Sequence, residues 1–198
     1  MSESKNGEYT PEGERGSAPH EDRWHLAFVI AAALAAVLLI RSFIAQPFIV
    51  RGASMEPSFL NYEYLIIDEL SYLMDKPQRG DAVVFRYPRD TRQFFIKRIV
   101  GLPHERVRIA QGRVRIVSEA APDGILLDEP YLDPPNRTTR PDMEVALGPD
   151  QYFVLGDNRD ASFDSRTWGA LEGRFLVGRA LLRALPFTRF GLIPEYSY

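Results

Sequence analysis

Two hydrophobic patterns divide the chain. Residues 26–40 read LAFVIAAALAAVLLI, fifteen apolar residues without a break. Crossing a bilayer takes about 20 such residues. Trp24 and His25 before the run and Arg41 to Ile44 after it make up the length. Trp24 suits a membrane interface and Arg41 can snorkel, so residues 24–44 are predicted to form one transmembrane helix. A cleavable signal region of similar length competes with this reading. The preceding tail carries six acidic and three basic residues, and Phe43-Ile44-Ala45 is a poor cleavage site. A buried core helix would show an amphipathic stripe, which this run lacks. The flanking charges do not orient the span.

Beyond Gln46-Pro47 the pattern becomes one of short apolar stretches between Gly, Pro and Asp turns. Strands are predicted at Phe48–Arg51, Tyr64–Asp68, Ala82–Tyr87, Gln93–Val100, Val107–Ala110, Arg113–Val117, Gln151–Leu155 and Leu176–Leu182. Val107, Ile109, Val114 and Ile116 alternate about Gln111-Gly112, which predicts a hairpin. Asp128 to Pro149 is Pro-rich and reads as a surface loop. No long segment of helical period follows residue 44. The expected architecture is mainly β: antiparallel sheets, as a sandwich or partly open barrel, behind a single N-terminal span. Residues 1–23 are polar and aperiodic and read as a disordered tail. The expected organisation is therefore tail 1–23, span 24–44 and β-rich domain 45–198.

Composition narrows the chemistry. A net charge of −3 argues against a nucleic-acid footprint. With no Cys, thiol catalysis and Cys-bound zinc are excluded. Of three His, only His104 lies well beyond the apolar run, so a Ser-His-Asp triad or His-based metal cage is poorly supplied. No cofactor or metal is expected.

The cations are mostly Arg; the only lysines are Lys5, Lys76 and Lys97. Lys97 lies in Phe94-Phe95-Ile96-Lys97-Arg98-Ile99-Val100, the most apolar stretch of the β region. A guanidinium stays charged in proteins, whereas a desolvated ammonium can lose its proton and act as a base. Two further segments carry polar residues that a β scaffold does not need. One is Arg51-Gly52-Ala53-Ser54-Met55-Glu56-Pro57, where Ser54 sits between a strand and a Pro-bounded turn and Gly52 permits a sharp bend or close approach. The other is Gly156 to Gly169, dense in charge-paired and hydroxyl residues, with Phe163 and Trp168 arguing that it packs. Taken singly, each has a plainer reading: a turn serine, a snorkelling lysine, a solvated loop.

Together the segments resemble type I signal peptidase, the membrane-bound Ser-Lys protease family. Gly52 to Pro57 matches the nucleophile box, Arg79-Gly80-Asp81-Ala82-Val83-Val84-Phe85 a structural strand, Ile96 to Pro103 the base box, and Gly156 to Gly169 the last box. The resemblance covers most of Phe48 to Arg179. It implies Ser54 as nucleophile, Lys97 as general base and Ser162 as the serine that orients the lysine amine. Asp157, Asp164 and Arg166 are implied to brace the site. The Ser54 backbone N–H is implied as one oxyanion donor. Where some members carry a hydroxyl two residues before the nucleophile, this chain has Gly52, so the second donor is a backbone N–H or a water. Phe48, Val50, Met55, Phe95 and Ile96 are expected to line shallow apolar pockets that fit Ala-x-Ala sites. His104 stands where Gly is common and is read as a turn residue.

The resemblance further implies preproteins bearing signal peptides as substrates and the lipid bilayer as a partner, with no obligate partner subunit. It places the tail in the cytoplasm and the catalytic domain outside, in a bacterial plasma membrane. The acidic tail is unlike an organelle transit peptide. A repressor-type autoprotease would need a helix-turn-helix module in place of the apolar run. A noncatalytic tethered β-domain would have no use for a buried lysine.

Overall fold

The computed structural model describes residues 24–35 and 46–196. The chain divides into two units, Met1–Leu39 and Ile40–Tyr198. Within the first, residues 24–35 form a helix, α1, whose residues are all exposed. No helix among the described residues is long and apolar enough to cross a membrane. The expected tail 1–23 and the remainder of the expected 24–44 span lie outside the described residues.

The second unit is built of antiparallel strands in two sheets. The larger runs in the order β1 (Gln46–Ile49), β2 (Tyr64–Asp68), β11 (Leu176–Leu185), β3 (Ala82–Tyr87), β4 (Asp90–Gly101), β9 (Gln151–Leu155) and β10 (Leu171–Glu172), with β12 (Gly191–Leu192) beside β11. Its ends do not meet, so the expected sandwich or partly open barrel takes the form of open antiparallel sheets with no closed barrel. The smaller sheet runs β7 (Ala121–Leu126), β6 (Arg113–Ser118), β5 (Arg106–Ala110), β8 (Met143–Ala146). The predicted hairpin joins β5 to β6 with Val107 opposite Ile116 and Ile109 opposite Val114. Gln111 and Gly112 both take positive φ, 52° and 76°. That backbone matches the twist of two paired strands.

Strand β4 organises the interior because it meets three apolar clusters. Ile96 packs with Val50, Met55, Phe59, Leu65 and Val84. Ile99 packs with Val83, Phe85 and Val154 on the opposite face. Val100 joins Val107, Ile109, Phe153 and Leu155 where the large sheet meets the small one. Continuous burial along one strand is what a central strand requires, and Ile96 to Gly101 are all buried. Four strands were absent from the sequence reading. β7 contains Pro122, Asp123 and Gly124, β8 lies inside the Pro-rich loop, and β10 and β12 are two residues each. All are too short or too rich in breakers to show a two-residue period.

Candidate active site

Ser54 lies in the turn between β1 and β2. Gly52 takes φ 90°, and a Cβ there would meet nothing within 4 Å. Its role is therefore a sharp bend, not close approach. Its N–H donates to Asn61 Oδ1 at 3.1 Å. Met55 and Phe59 sink into the core on the far side of the turn, which leaves Ser54 half-buried at the surface. A buried carboxylate holds the next stretch. Glu63, 1% exposed, accepts from Arg183 Nε at 2.7 Å and Arg189 Nη1 at 2.5 Å. Arg183 Nη2 also donates to the Ser58 carbonyl at 2.6 Å. The chain that follows Ser54 is thus tied to residues of β11 and the turn after it.

Lys97 enters from β4, opposite Val83 of β3. It is 4% exposed. Its Nζ lies 2.8 Å from Ser54 Oγ and 2.9 Å from the Ile96 carbonyl oxygen. The Phe95 ring covers it at 5.6 Å. Burial pushes the ammonium from an ordinary 10.5 down to about 8, against the opposing pull of Asp164 and then Asp157. A neutral amine at hydrogen-bond distance from a serine hydroxyl can take its proton.

The loop after β9 closes over this pair. The Asn158 N–H donates to the Ser54 carbonyl oxygen at 3.1 Å. A Cβ at Gly156 would overlap Ser162 Oγ and the same Ser54 carbonyl, so only glycine fits there. Ser162 Oγ is buried beside Gly156 without a hydrogen-bond partner among the described residues, Lys97 included. Asp164 receives Arg166 in a two-pronged pair, 2.8 Å from both Nε and Nη2, and accepts from the Gly156 N–H at 3.0 Å. Asp157 receives Arg98 in the same manner, at 2.9 and 2.6 Å, with both side chains fully buried. Burial alone would lower the proton affinity of the Arg98 guanidinium; the charge and hydrogen bonds of Asp157 reverse this and hold it above the ordinary arginine value.

The structure brings Ser54, Lys97, Ser162, Asp157, Asp164 and Arg166 into one place. It divides the residues expected to line apolar pockets. Val50, Met55 and Ile96 form a single core cluster with Phe48 packed against it. Phe95 does not join them. Side chains alternate along a strand, so Phe95 faces the opposite way from Ile96 and stacks on Tyr87 at 4.9 Å. His104 takes φ 66°, in keeping with a turn role. Sequence reasoning passed over Arg98 and Glu63, and over the pairing of Arg159 with Glu129. For Arg98 a signal was present: a guanidinium inside a buried strand must be paired, because an unpaired buried charge costs several kcal/mol.

The model of the family "Signal peptidase, peptidase S26" matches residues 22–185. The Synechocystis sp. protein named "Probable signal peptidase I-2" is 37% identical over 190 residues, covering 92% of this chain and 83% of the relative. "Signal peptidase I" of Leptolyngbya laminosa is 34% identical over 208 residues, covering 100% and 98%. Among solved structures, a signal peptidase I from Enterococcus faecalis V583 is 32% identical, with a TM-score of 0.46, covering 53% of this chain and 97% of that one.

Proposed function

The chain belongs to the signal peptidase family, peptidase S26, and from that premise we propose that Ser54 and Lys97 form its catalytic dyad. It is a serine protease that removes signal peptides; the relatives give the noncatalytic reading no support. The observation that carries the residue assignment is the 2.8 Å approach of a buried lysine amine to a half-exposed serine hydroxyl.

Neutral Lys97 Nζ takes the Ser54 hydroxyl proton as Oγ bonds to the scissile carbonyl carbon. The carbonyl oxygen becomes an oxyanion, for which the Ser54 N–H is a donor. As the intermediate collapses, the C–N bond breaks and the Lys97 ammonium gives its proton to the departing amine. An acyl-enzyme remains. Lys97 then takes a proton from water, whose oxygen attacks the ester, and returns that proton to Ser54 Oγ. Ser162, whose buried hydroxyl lies beside Gly156, is assigned to orient the amine. Asp157, Asp164 and Arg166 hold the loop and transfer no protons.

The preferred cut follows an Ala-x-Ala-like sequence. Phe48, with Val50, Met55 and Ile96 beneath it, forms a floor that suits small side chains. The proposed topology is a cytoplasmic tail 1–23, a span 24–44 in the bacterial plasma membrane and an extracytoplasmic domain 45–198. It rests on the apolar run and the family resemblance. Mass spectrometry of a preprotein with an Ala-x-Ala site, incubated in detergent with wild type, Ser54→Ala and Lys97→Met, tests the assignment. A single cut after the second Ala by wild type alone is expected. Equal cutting by either folded variant would remove that residue from the dyad.

A further inference from the structure

Arg98 precedes no known step of the reaction, yet it is among the largest fully buried side chains in the molecule, 1% exposed. It is the strand neighbour of Lys97, so its side chain leaves β4 from the opposite face. There it meets two rings. Its guanidinium carbon lies 4.1 Å from the Tyr131 ring centre and 5.1 Å from that of Tyr196. The rings themselves are 5.1 Å apart with planes at 59°. They form an aromatic corner, and the guanidinium fits into it while its edge grips Asp157.

The same corner holds the other flank of the loop. Tyr131 Oη donates to Glu129 Oε1 at 2.7 Å, and Glu129 pairs with buried Arg159. Arg159 Nε donates to the Gly156 carbonyl at 3.0 Å. Two arginines therefore fix consecutive residues, Gly156 and Asp157, and Tyr131 lies behind both. Gly156 is the residue that packs against Ser162 and the Ser54 carbonyl.

We propose that Tyr131 and Tyr196 are positioning residues for the dyad: their aromatic corner sets the Arg98–Asp157 pair and, through it, the proton affinity of Lys97. This rests on Lys97 being the base. The charged groups that act on Lys97 are Asp164 and Asp157, each neutralised by its arginine, Arg166 and Arg98. Tyr196 also walls a cavity of about 240 Å³ together with Phe59, Arg98, Tyr131, Arg183 and Arg189. Removing its ring opens Arg98 to water from that side. Arg98 then holds Asp157 less firmly, the carboxylate is less neutralised, and Lys97 keeps its proton to higher pH.

The test is preprotein cleavage by the full chain in detergent, with kcat and KM followed across pH 6–10 for wild type, Tyr196→Ala, Tyr196→Leu and Tyr196→Phe. In Tyr196→Ala, the midpoint of the pH profile rises by about half a pH unit, kcat at neutral pH falls about threefold with the neutral fraction of Lys97, and KM is unchanged. Tyr196→Leu keeps bulk without the π face and gives the same shift should Ala unfold the protein. Tyr196→Phe restores both values, because the ring and not the hydroxyl meets Arg98. A lower melting temperature with an unmoved midpoint in Ala and Leu, or a Phe variant as impaired as Ala, overturns the proposal. Lys97→Met separates the layers. If it still cleaves, the base assignment has failed; if it is inactive while the Tyr196 variants match wild type, only the aromatic corner has failed.

Discussion

The two sheets treat charge in opposite ways. The large sheet and its last loop draw charge inward: Lys97, Arg98, Asp157, Arg159 and Asp164 are all buried, and each carboxylate among them is gripped by a guanidinium. The small sheet turns charge outward. On its solvent face Arg108 of β5 lies directly opposite Arg115 of β6, both exposed, with Glu144 3.7 Å from Arg108. Like charges set opposite on a sheet cost a few tenths of a kcal/mol in water. Buried charges cost several each unless paired. The small sheet therefore carries its arginines at little cost. The large sheet carries its own only because a precise set of partners surrounds them, and that set lies around the proposed dyad.

If this contrast is sound, deleting one inward partner does the most damage. Asp157→Asn leaves Arg98 buried and unpaired and should cost about 3–5 kcal/mol in chemical denaturation. It also removes a negative charge that favours protonated Lys97, so whatever activity survives should have its pH midpoint moved down from about 8. An Asp157→Asn protein as stable as wild type would break the contrast outright.

Lys97 itself is the next test. The drop from 10.5 to about 8 means that a protonated, buried Lys97 costs the fold about 3 kcal/mol. The folded value lies below the unfolded one, so the cost is fully present below pH 8. Between pH 8 and 10.5 the unfolded chain holds more protons, and stability rises until the cost is gone. Lys97→Met, which carries no such charge, should be more stable than wild type at pH 7 by up to about 3 kcal/mol and should lose that rise. Urea melts of both proteins at pH 7, 9 and 10.5 measure it; parallel curves would show that the amine is not desolvated.

The smallest effect belongs to the small sheet. Arg115→Glu replaces the like pair with an opposite pair across from Arg108, keeps Glu144 beside Arg108 and gives up only an exposed hydrogen bond to the Gly124 carbonyl; it should stabilise by a few tenths of a kcal/mol in low salt, with cleavage unchanged. A loss of activity there would show that the small sheet serves the site after all.

Much of this division was legible in the sequence, and the exceptions have a common cause. β2 stands where apolar alternation put it and β3 where a continuous apolar run did, because a strand's pattern is local. Ser54 and Lys97 stood out by residue type: a serine at a Gly-Pro turn and a lysine in an apolar run. The partners of the buried charges did not. Arg98 meets Asp157 across 59 residues, and Arg183 meets Glu63 across 120. No periodicity spans such distances; only the register of β4 against β9 and of β11 against β2 brings them together. The separation of Phe95 from Ile96 was available from strand alternation alone. β7 and β8 were hidden because pairing with β6 and β5, not composition, makes them strands.

The hydrogen bond from the Asn158 amide to the Ser54 carbonyl oxygen gives the enzyme a gauge that needs no substrate. That single amide proton joins the last loop to the Ser54 turn. While the two remain together it is shielded from deuterium in the solvent; when they part it exchanges. Its exchange rate therefore counts how often the assembled site comes apart, in a resting enzyme and one residue at a time. A detergent, a lipid or an inhibitor that tightens the site will slow this proton before any product is formed.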